Sequence, residues 1–257
     1  MKRLIFNLLP NSLRERIKLN YYNIKNNKFS FALQNGHYVT KEGDSWEVIT
    51  RKPLYFIVKD IERYEKYYKV KINDIVIDAG ANEGALSVVY SQKIGNRGKV
   101  FAFEPDSINV EMLKSNLSLN KKYSNIDLVE MGLWNKKDII DFFEAGSVGS
   151  SVFYEDKKSK KVAIQTISID NFMSLQKINH LNFVKMDIEG AEIEALEGAI
   201  KSIDKYKPDF AIASYHIINN KPTYIAVEDF FRKIDYPYKT EFFKDGEIIT
   251  YAGKSIK

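Results

Sequence analysis

The chain has 257 residues, which is enough for one substantial domain or for a domain with a small appendage. It holds no cysteine, and no apolar run reaches the ~18 residues of a spanning helix, which excludes disulfide frameworks, cysteine-ligated zinc, thiolate nucleophiles and integral membrane proteins. The net charge of +5 comes from 39 basic and 34 acidic residues that are interspersed, whereas nucleic-acid-binding proteins show a clustered basic footprint, so we expect no nucleic-acid partner.

The first ten residues combine positive charge with a short apolar stretch. Asn7 and Pro10 interrupt this stretch, which is also shorter than the apolar core of a secretory signal. We therefore expect a cytoplasmic protein. The next segment, residues 11–22, predicts an amphipathic helix that rests either on the domain itself or, as a peripheral contact, on a membrane surface.

The segment that follows predicts a few short strands and one helix. Residues 26–50 contain strand-like pieces separated by two glycine-containing turns. The apolar residues of Leu54–Tyr68 then recur at helical spacing. We interpret residues 1–70 as a small N-terminal appendage that packs on a larger domain, residues 71–257.

Predicted strands alternate with predicted helices from residue 71 onward. The strands are at 74–78, 99–104, 126–131, 138–144, 161–169, 180–187 and 210–215, and the helices are at 85–94, 107–119, 190–203 and 223–234. Residues 238–252 predict an antiparallel hairpin. This order predicts an α/β fold with a doubly wound, mostly parallel sheet that ends in an antiparallel pair. Ligands in such sheets bind beyond the carboxyl ends of the strands.

A glycine-containing turn, DAGANEG at residues 78–84, follows the first of these strands. Gly80 allows a sharp turn close to a ligand, and Gly84 allows the next helix to pack on the strand. The spacing differs from the G-x-G-x-x-G of dinucleotide-binding folds, and two acids in the turn suit a cationic or zwitterionic ligand better than a pyrophosphate.

Glu104 ends the next predicted strand, about 20 residues after Gly84, where an acid can accept both hydroxyls of a ribose. A ribose joined to a cationic amino acid describes S-adenosylmethionine. The alternative is that the glycines and acids only shape a turn between a strand and a helix.

Residues from about 75 to 216 resemble the FkbM family of S-adenosylmethionine-dependent methyltransferases. The segments that carry the resemblance are VIDAGANEGALS, VFAFEPD, the Gly-Leu-Trp at 132–134 and FVKMDIEGAEIEALEGA, together with TISIDNF, the Ser150-Ser151 pair and His216. The resemblance implies a class I, Rossmann-like fold and methyl transfer, usually to a hydroxyl of a sugar, glycan or natural product. We therefore expect a small-molecule or glycan hydroxyl acceptor.

The resemblance also implies a set of cofactor contacts. These are Asp78, Ala79, Gly80, Asn82, Glu83, Gly84, Glu104, Pro105, Gly132 and Leu133. By position, the glycine turn would surround the methionine part, Glu104 would bind the ribose, and Gly132 with Leu133 would line the adenine.

Candidate catalytic residues follow two neighbouring strands. Methyl transfer from a sulfonium is a direct displacement, in which a hydroxyl acceptor needs help to lose its proton. Lys185 and Asp187 lie two apart and share a strand face, with Asp187 where the methyl group should emerge. His216 ends the neighbouring strand, and a near-neutral pKa would suit it as a base. We expect Asp187 and His216 to lead the catalytic set, with Glu192 and Lys185 beside them.

Each of these residues also has an alternative role. Glu189 and Glu192 fall in the first turn of a predicted helix, where acids act as caps. The alternative role for Lys185 is to neutralise the charge of Asp187. The third alternative is that Asp187, Glu192 and His216 hold Mg²⁺ or another divalent cation.

Two other function classes remain open alongside the methyltransferase. One is a nicotinamide-dependent oxidoreductase, which the glycine spacing disfavours, and the other is a non-catalytic Rossmann-like binding module. The Asn/Asp-Pro-Pro-aromatic motif of base-modifying enzymes is absent after Asp187, which counts against nucleic-acid methylation. The loop Ala145–Tyr154, rich in glycine and serine, predicts a flexible lid over the acceptor. Neither the acceptor's identity nor the oligomeric state follows from the sequence.

Overall fold

A computed structural model of the chain describes residues 9–146, 150–153 and 159–256. The helices are α1 (Asn11–Lys25), α2 (Ile57–Tyr64), α3 (Ala85–Ile94), α4 (Ser107–Leu119), α5 (Ile169–Leu175), α6 (Glu192–Glu197), α7 (Ile200–Tyr206) and α8 (Tyr224–Lys233). The strands are β1 (Phe29–Gln34), β2 (His37–Glu42), β3 (Trp46–Thr50), β4 (Ile75–Ala79), β5 (Lys99–Phe103), β6 (Ile126–Val129), β7 (Gly132–Leu133), β8 (Asp138–Glu144), β9 (Lys160–Ile167), β10 (Phe183–Met186), β11 (Asp209–Ala213), β12 (Ile217–Ile218), β13 (Lys221–Pro222), β14 (Tyr238–Phe242) and β15 (Ile248–Ala252).

A seven-stranded sheet in the order β14-β15-β11-β10-β4-β5-β6 forms the centre of the molecule. Strands β11, β10, β4, β5 and β6 are parallel, and β15 runs antiparallel to both of its neighbours. The predicted α/β fold with a mostly parallel sheet and a final antiparallel pair is therefore confirmed. Because the parallel strands share one direction, their carboxyl ends meet at one edge of the sheet, where the candidate site lies.

Helices cover both faces of this sheet, so its central strand is apolar along both faces. The side chains of β4 alternate, with Ile77 in a core shared with α5 to α8 and Val76 in a core shared with α3. Both side chains are fully buried. This two-sided burial explains why the strand reads as an unbroken apolar run in the sequence.

A second sheet, in the order β7-β9-β8, lies in the connection between β6 and α5. Its strands β8 and β9 correspond to the two predicted there, but β9 ends at Ile167 and the next residues form α5. Ser168 begins this helix because its hydroxyl accepts a hydrogen bond from the amide of Asn171 (3.2 Å). The single helix predicted at 190–203 is two helices, α6 and α7, which are separated at Gly198, where the backbone packs against the loop after β7.

The N-terminal segment is a three-stranded antiparallel sheet, β1-β2-β3, flanked by α1 and α2. Trp46 and Val48 of this sheet share one apolar core with Val88 and Val89 of α3. The segment packs on the larger unit as expected, while a domain boundary at residue 70 stays a prediction.

Helix α1 contacts the N-terminal sheet with one face only. Leu19 is buried, and the ring of Tyr22 stacks on Tyr55 at 3.9 Å between centroids. Leu13 and Ile17 are exposed on the outer face, so a peripheral membrane contact stays a prediction. No helix in the described part of the chain combines the length and apolarity needed to cross a bilayer.

Candidate active site

The turn after β4 is held in a conformation that requires glycine at two positions. Gly80 and Gly84 have φ values of +71° and +77°, in the left-handed region. A Cβ on Gly80 would lie 1.8 Å from the carbonyl oxygen of Asp187, and one on Gly84 would lie 2.8 Å from Cγ of Leu113. The turn is thus packed directly against the carboxyl end of β10 and against α4.

The backbone amides of this turn are engaged within the protein. The amides of Gly80 and Ala81 both donate to the carbonyl oxygen of Phe103, at 3.0 and 2.9 Å. The amide of Asn82 donates to Oε2 of Glu104 at 2.8 Å. A dinucleotide-binding loop instead offers such amides to a pyrophosphate, so this geometry disfavours a nicotinamide cofactor.

Lys185 braces the turn from the neighbouring strand. Its Nζ donates to the carbonyl oxygens of Ala79 (3.1 Å) and Gly80 (2.8 Å) and lies 3.3 Å from Oδ1 of Asp78. Asp78 is fully buried, and its Oδ2 accepts a hydrogen bond from Ser87 (2.6 Å). Among the described residues no ion pair joins Lys185 to Asp187, whereas Lys185 does pair with Asp78, so the catalytic role expected for Lys185 stays a prediction.

Glu104 follows β5 at the same edge of the sheet. Its carboxylate is 4% exposed and also accepts the amide of Asp106 at Oε1 (3.0 Å). Burial raises the pKa of Glu104 to about 7. Oε1 also accepts a long hydrogen bond from Nδ2 of Asn109 (3.5 Å), so of the about four acceptor positions of a carboxylate the remaining capacity lies at Oε2.

The chemical character of most of the predicted cofactor contacts suits S-adenosylmethionine. Glu104 offers a buried carboxylate for a ribose, and half-buried Pro105 follows it directly. Gly132 and Leu133 form β7, and Leu133 is buried in the apolar core that includes Ile77. Their contact with an adenine stays a prediction. Glu83 is turned outward, since its carboxylate lies 3.6 Å from Nζ of Lys52.

Three predicted catalytic side chains come together with Glu189 at the carboxyl ends of β10 and β11. We call Asp187, Glu189, Glu192 and His216 the acid–histidine cluster. Nε2 of His216 lies 3.6 Å from Oδ1 of Asp187 and 3.4 Å from Oε2 of Glu189. Nδ1 of the same ring lies 3.1 Å from Oε1 of Glu192. His216 is 5% exposed and Glu192 is fully buried.

The carboxylates control the protonation of this cluster. Burial lowers the pKa of His216, but the carboxylate of Glu192 beside the ring and the charges of the other acids outweigh it and raise that pKa to about 9. Burial raises the pKa of Glu189 to about 7. The near-neutral pKa expected for His216 is therefore not found, and without a further cation its ring holds a proton at neutral pH.

Tyr64 is a site residue that the sequence did not identify. Its hydroxyl donates to Oδ2 of Asp187 at 2.9 Å, although it belongs to α2 in the N-terminal segment. Burial, and next the charge of Asp187, raises the pKa of Tyr64 well above its ordinary value, so it stays a donor. Tyr64 belongs to a series of apolar residues at helical spacing, which is equally typical of core residues. The sequence therefore carries no signal that distinguishes a site residue from a core residue here.

The Ser150-Ser151 pair connects the central loop to two strand ends. Ser150 donates to Oδ2 of Asp106 (2.5 Å), and Ser151 donates to the carbonyl oxygen of Glu189 (2.7 Å). These contacts bring the loop over the edge of the sheet that holds the site. The tip of the lid predicted at Ala145–Tyr154, residues 147–149 and 154, lies outside the described residues.

The sequence profile of the methyltransferase FkbM domain matches residues 78–238, more than half of the chain. The chain belongs to the FkbM methyltransferase family. The match includes the glycine turn, Glu104 and the whole acid–histidine cluster. This membership excludes the nicotinamide-dependent alternative.

Two characterised relatives are similar at low identity. Methyltransferase sdnD of Sordaria araneosa is 24% identical, over 60% of this chain and 72% of that protein. The hexuronic acid methyltransferase AglP of Haloferax volcanii is 26% identical, over 56% of each protein. The chain thus spans little more than half of AglP.

Solved structures share the FkbM chain's fold. Methyltransferase FkbM from Methylobacillus flagellatus aligns with a TM-score of 0.55 and 21% identity, over 78% of this chain and 50% of that one. Fibrillarin from Aeropyrum pernix, in complex with natively bound S-adenosylmethionine, aligns with a TM-score of 0.50 and 11% identity, over 87% and 97%. The fold is that of the class I S-adenosylmethionine-dependent methyltransferases.

Proposed function

We propose that this FkbM-family protein transfers the methyl group of S-adenosylmethionine to a hydroxyl of a sugar, glycan or natural product. The observation that carries the proposal is the contact between the glycine turn and the acid–histidine cluster, seen where Gly80 packs on the carbonyl of Asp187. Proton-accepting carboxylates therefore lie beside the loop that receives the methionine part of the cofactor. A hydroxyl acceptor needs such a group, because it must lose its proton during transfer.

Residues at the ends of three different strands would each contact a different part of the cofactor. Glu104 would accept a ribose hydroxyl, the glycine turn would hold the methionine part, and Leu133 would lie on the side of the adenine. When bound, S-adenosylmethionine supplies a methyl group on a sulfonium, which an acceptor oxygen displaces to give a methyl ether and S-adenosylhomocysteine. Lys185 keeps the turn in place through its two carbonyl contacts.

Asp187 receives the proton of the acceptor hydroxyl. Its Oδ2 is occupied by the Tyr64 hydroxyl, which leaves Oδ1 directed toward His216 and the acceptor. Glu192 fixes the ring of His216 through Nδ1, so the opposite nitrogen faces the same space. Orientation of the acceptor by these groups lowers the barrier, because a displacement needs the oxygen, carbon and sulfur in line.

A sugar acceptor has a precedent among the relatives. AglP is named as a hexuronic acid methyltransferase, which is an enzyme that acts on a sugar. The identity of 26% over 56% of each protein supports the acceptor class for this chain and leaves the individual sugar to be found.

A methyl-transfer screen tests the proposal. The full chain is incubated with S-adenosylmethionine labelled in its methyl group and with panels of glycosides, hexuronides and amines, and products are located by mass spectrometry. We expect label in methyl ethers, and we expect Asp187→Asn to lose turnover while it retains S-adenosylhomocysteine affinity. Glu194→Gln, on α6 but outside the cluster, serves as the control. Methylation of amines alone, or full turnover in Asp187→Asn, contradicts the proposal.

A further inference from the structure

The acid–histidine cluster contains three ligand atoms that converge on one point. One ligand atom from each of Asp187, Glu189 and His216 lies within 4.8 Å of the other two, and Nε2 of His216 faces Oδ1 of Asp187 and Oε2 of Glu189. We propose that they bind one divalent cation of the Mn²⁺ type. This set differs from the Asp187, Glu192 and His216 set that the sequence suggests, because Glu192 faces the other nitrogen of the ring.

The separations between these atoms suit a shared ion. Ligands at about 2.1 Å from an octahedral ion lie about 3.0 Å apart at right angles and about 4.2 Å apart when opposite. Nε2 of His216 lies 3.4 Å from Oε2 of Glu189 and 3.6 Å from Oδ1 of Asp187. The third separation, between the two carboxylate ligand atoms, is within 4.8 Å, so small side-chain shifts bring all three into contact with one cation.

The buried imidazole supplies the second, independent indication of a ligand. His216 is 5% exposed, and neither of its ring nitrogens makes a hydrogen bond among the described residues, although both lie at ion-pair distance from carboxylates. Oδ1 of Asp187 is likewise without one in the described part of the chain. Buried polar atoms are nearly always paired, so atoms left without hydrogen bonds and aimed at a common point indicate a missing partner. Between two carboxylates and a ring nitrogen, that partner is a cation.

Each of the three proposed ligand residues also contacts a further group on the side away from the ion. Oε1 of Glu192 lies 3.1 Å from Nδ1 of His216, and metal-binding histidines commonly have a carboxylate beside their other ring nitrogen. Tyr64 donates to the remaining oxygen of Asp187. Ser151 donates to the backbone carbonyl of Glu189, which has a φ of +54°. The sequence thus supplies an ordered outer layer, which a chance cluster of surface acids does not have.

The donor set favours Mn²⁺ over the other common hard cations. Mg²⁺ and Ca²⁺ prefer oxygen ligands alone, and Ca²⁺ takes six to eight of them. Manganese accepts two carboxylates and an imidazole, and three protein ligands leave positions open for a substrate oxygen. With the ion bound, Oδ1 of Asp187 is one of its ligands, and the ion takes the place of that carboxylate in the removal of the acceptor proton because it lowers the pKa of the hydroxyl. This role rests on the proposed hydroxyl methylation, whereas binding of the ion does not.

A manganese titration tests the site without any turnover. The full chain is stripped with EDTA, MnCl₂ is added, and the free ion is measured by electron paramagnetic resonance. We expect saturable binding of one Mn²⁺ per chain. The protein has three histidines, so proton NMR adds a local readout: the ring signals of His216 should broaden before those of His37 and His180.

Matched variants assign the binding to these residues. We expect His216→Gln and Glu189→Gln to abolish saturable binding and Glu192→Gln to weaken it about tenfold or more. Glu194→Gln should leave it unchanged, and circular dichroism shows whether each variant is folded. If His216→Gln does not fold, Glu189→Gln carries the test, since Glu189 is only partly buried. Absence of saturable binding in the wild type, or unaltered binding in folded Glu189→Gln, overturns the site. A parallel S-adenosylhomocysteine titration shows whether the cofactor site survives that result.

Discussion

Gly80 and Asp187 are in backbone contact across two neighbouring strands, so close that a Cβ on Gly80 would lie 1.8 Å from the carbonyl oxygen of Asp187. The glycine turn and the carboxyl end of β10 are therefore packed directly against each other. We expect a change in the turn to reach the carboxylate that we propose accepts the proton.

Replacement of Gly80 by alanine should displace this contact. We expect Gly80→Ala to weaken S-adenosylhomocysteine affinity strongly and to reduce stability by more than the 1–2 kcal/mol or so that a left-handed alanine costs. Gly36→Ala is the matched control, because Gly36 has a similar φ of +78° with no atom within 4 Å of its Cβ position. Calorimetric titration and denaturant unfolding of both variants measure the difference. Equal effects at the two sites would show that the contact with Asp187 does not matter.

Lys185 and Asp78 form a buried ion pair, and we expect the loss of either charge to destabilise the folded protein because the other is then unpaired. Removal of one partner of a buried ion pair costs about 3–5 kcal/mol, because the other charge stays buried and unpaired. We expect Lys185→Met to lose that amount, and Asp78→Asn combined with Lys185→Met to recover part of it. Lys99→Met breaks an exposed ion pair with Asp127 and should cost less than about 1 kcal/mol. Additive effects of the two single substitutions at Lys185 and Asp78 would contradict the pairing.

The raised pKa of Glu104 predicts a pH dependence of cofactor binding. Its carboxyl keeps its proton to about pH 7 in the folded protein, against an ordinary value of 4.5. The folded state therefore binds more protons than the unfolded state in this window, and this group's contribution to stability falls as pH rises from 4.5 through about 7. Ribose hydroxyls donate to the ionised form, so S-adenosylhomocysteine affinity should rise as pH increases through about 7.

Proton release measures this coupling directly. Titrations of S-adenosylhomocysteine at pH 6.5 or so, in buffers of different ionisation enthalpy, should show a proton released on binding. Glu104→Gln cannot ionise and should bind more weakly, with affinity that no longer depends on pH in this range. Proton uptake by the wild type would contradict the assignment of Glu104 to the ribose.

The hydroxyl of Tyr64 should affect turnover more than cofactor binding. Tyr64→Phe removes the donor to Oδ2 of Asp187, so we expect kcat to fall about tenfold or more while S-adenosylhomocysteine affinity is unchanged. Tyr67→Phe removes a hydrogen bond to the surface residue Glu241 and is the matched control. Steady-state kinetics on an identified acceptor provide the comparison. An unchanged kcat in Tyr64→Phe would remove this tyrosine from the site.

The parts of the fold that depend on local pattern could be predicted from the sequence. The apolar run of β4, the glycine turn after it and the acid at Glu104 follow from residues that are close in the chain. Ser168 shows where this fails: its capping hydrogen bond to Asn171 begins α5, whereas the apolar residues around it read as a continuing strand.

The meeting of Asp187 and His216 could be predicted, because both follow neighbouring strands, but other long-range contacts of the site could not. The alternation of side chains along a strand predicted that Lys185 and Asp187 share one face. Strand β10 ends at Met186, however, so Asp187 lies beyond the strand and does not follow this alternation. Helix α6 begins at Glu192 instead of Gly190, which leaves Glu189 in a loop and turns it toward His216. Tyr64 comes from a segment more than one hundred residues away, and only the packing of that segment on the sheet brings it to Asp187.

A calorimetric titration of the full chain with S-adenosylhomocysteine, with NAD⁺ titrated in parallel, tests the cofactor site most directly. We predict saturable binding of one S-adenosylhomocysteine per chain and no binding of NAD⁺, because the amides of the glycine turn are already engaged. Binding of NAD⁺ alone would contradict the cofactor assignment. Absence of binding for both ligands would contradict a catalytic role and favour a non-catalytic module with this fold.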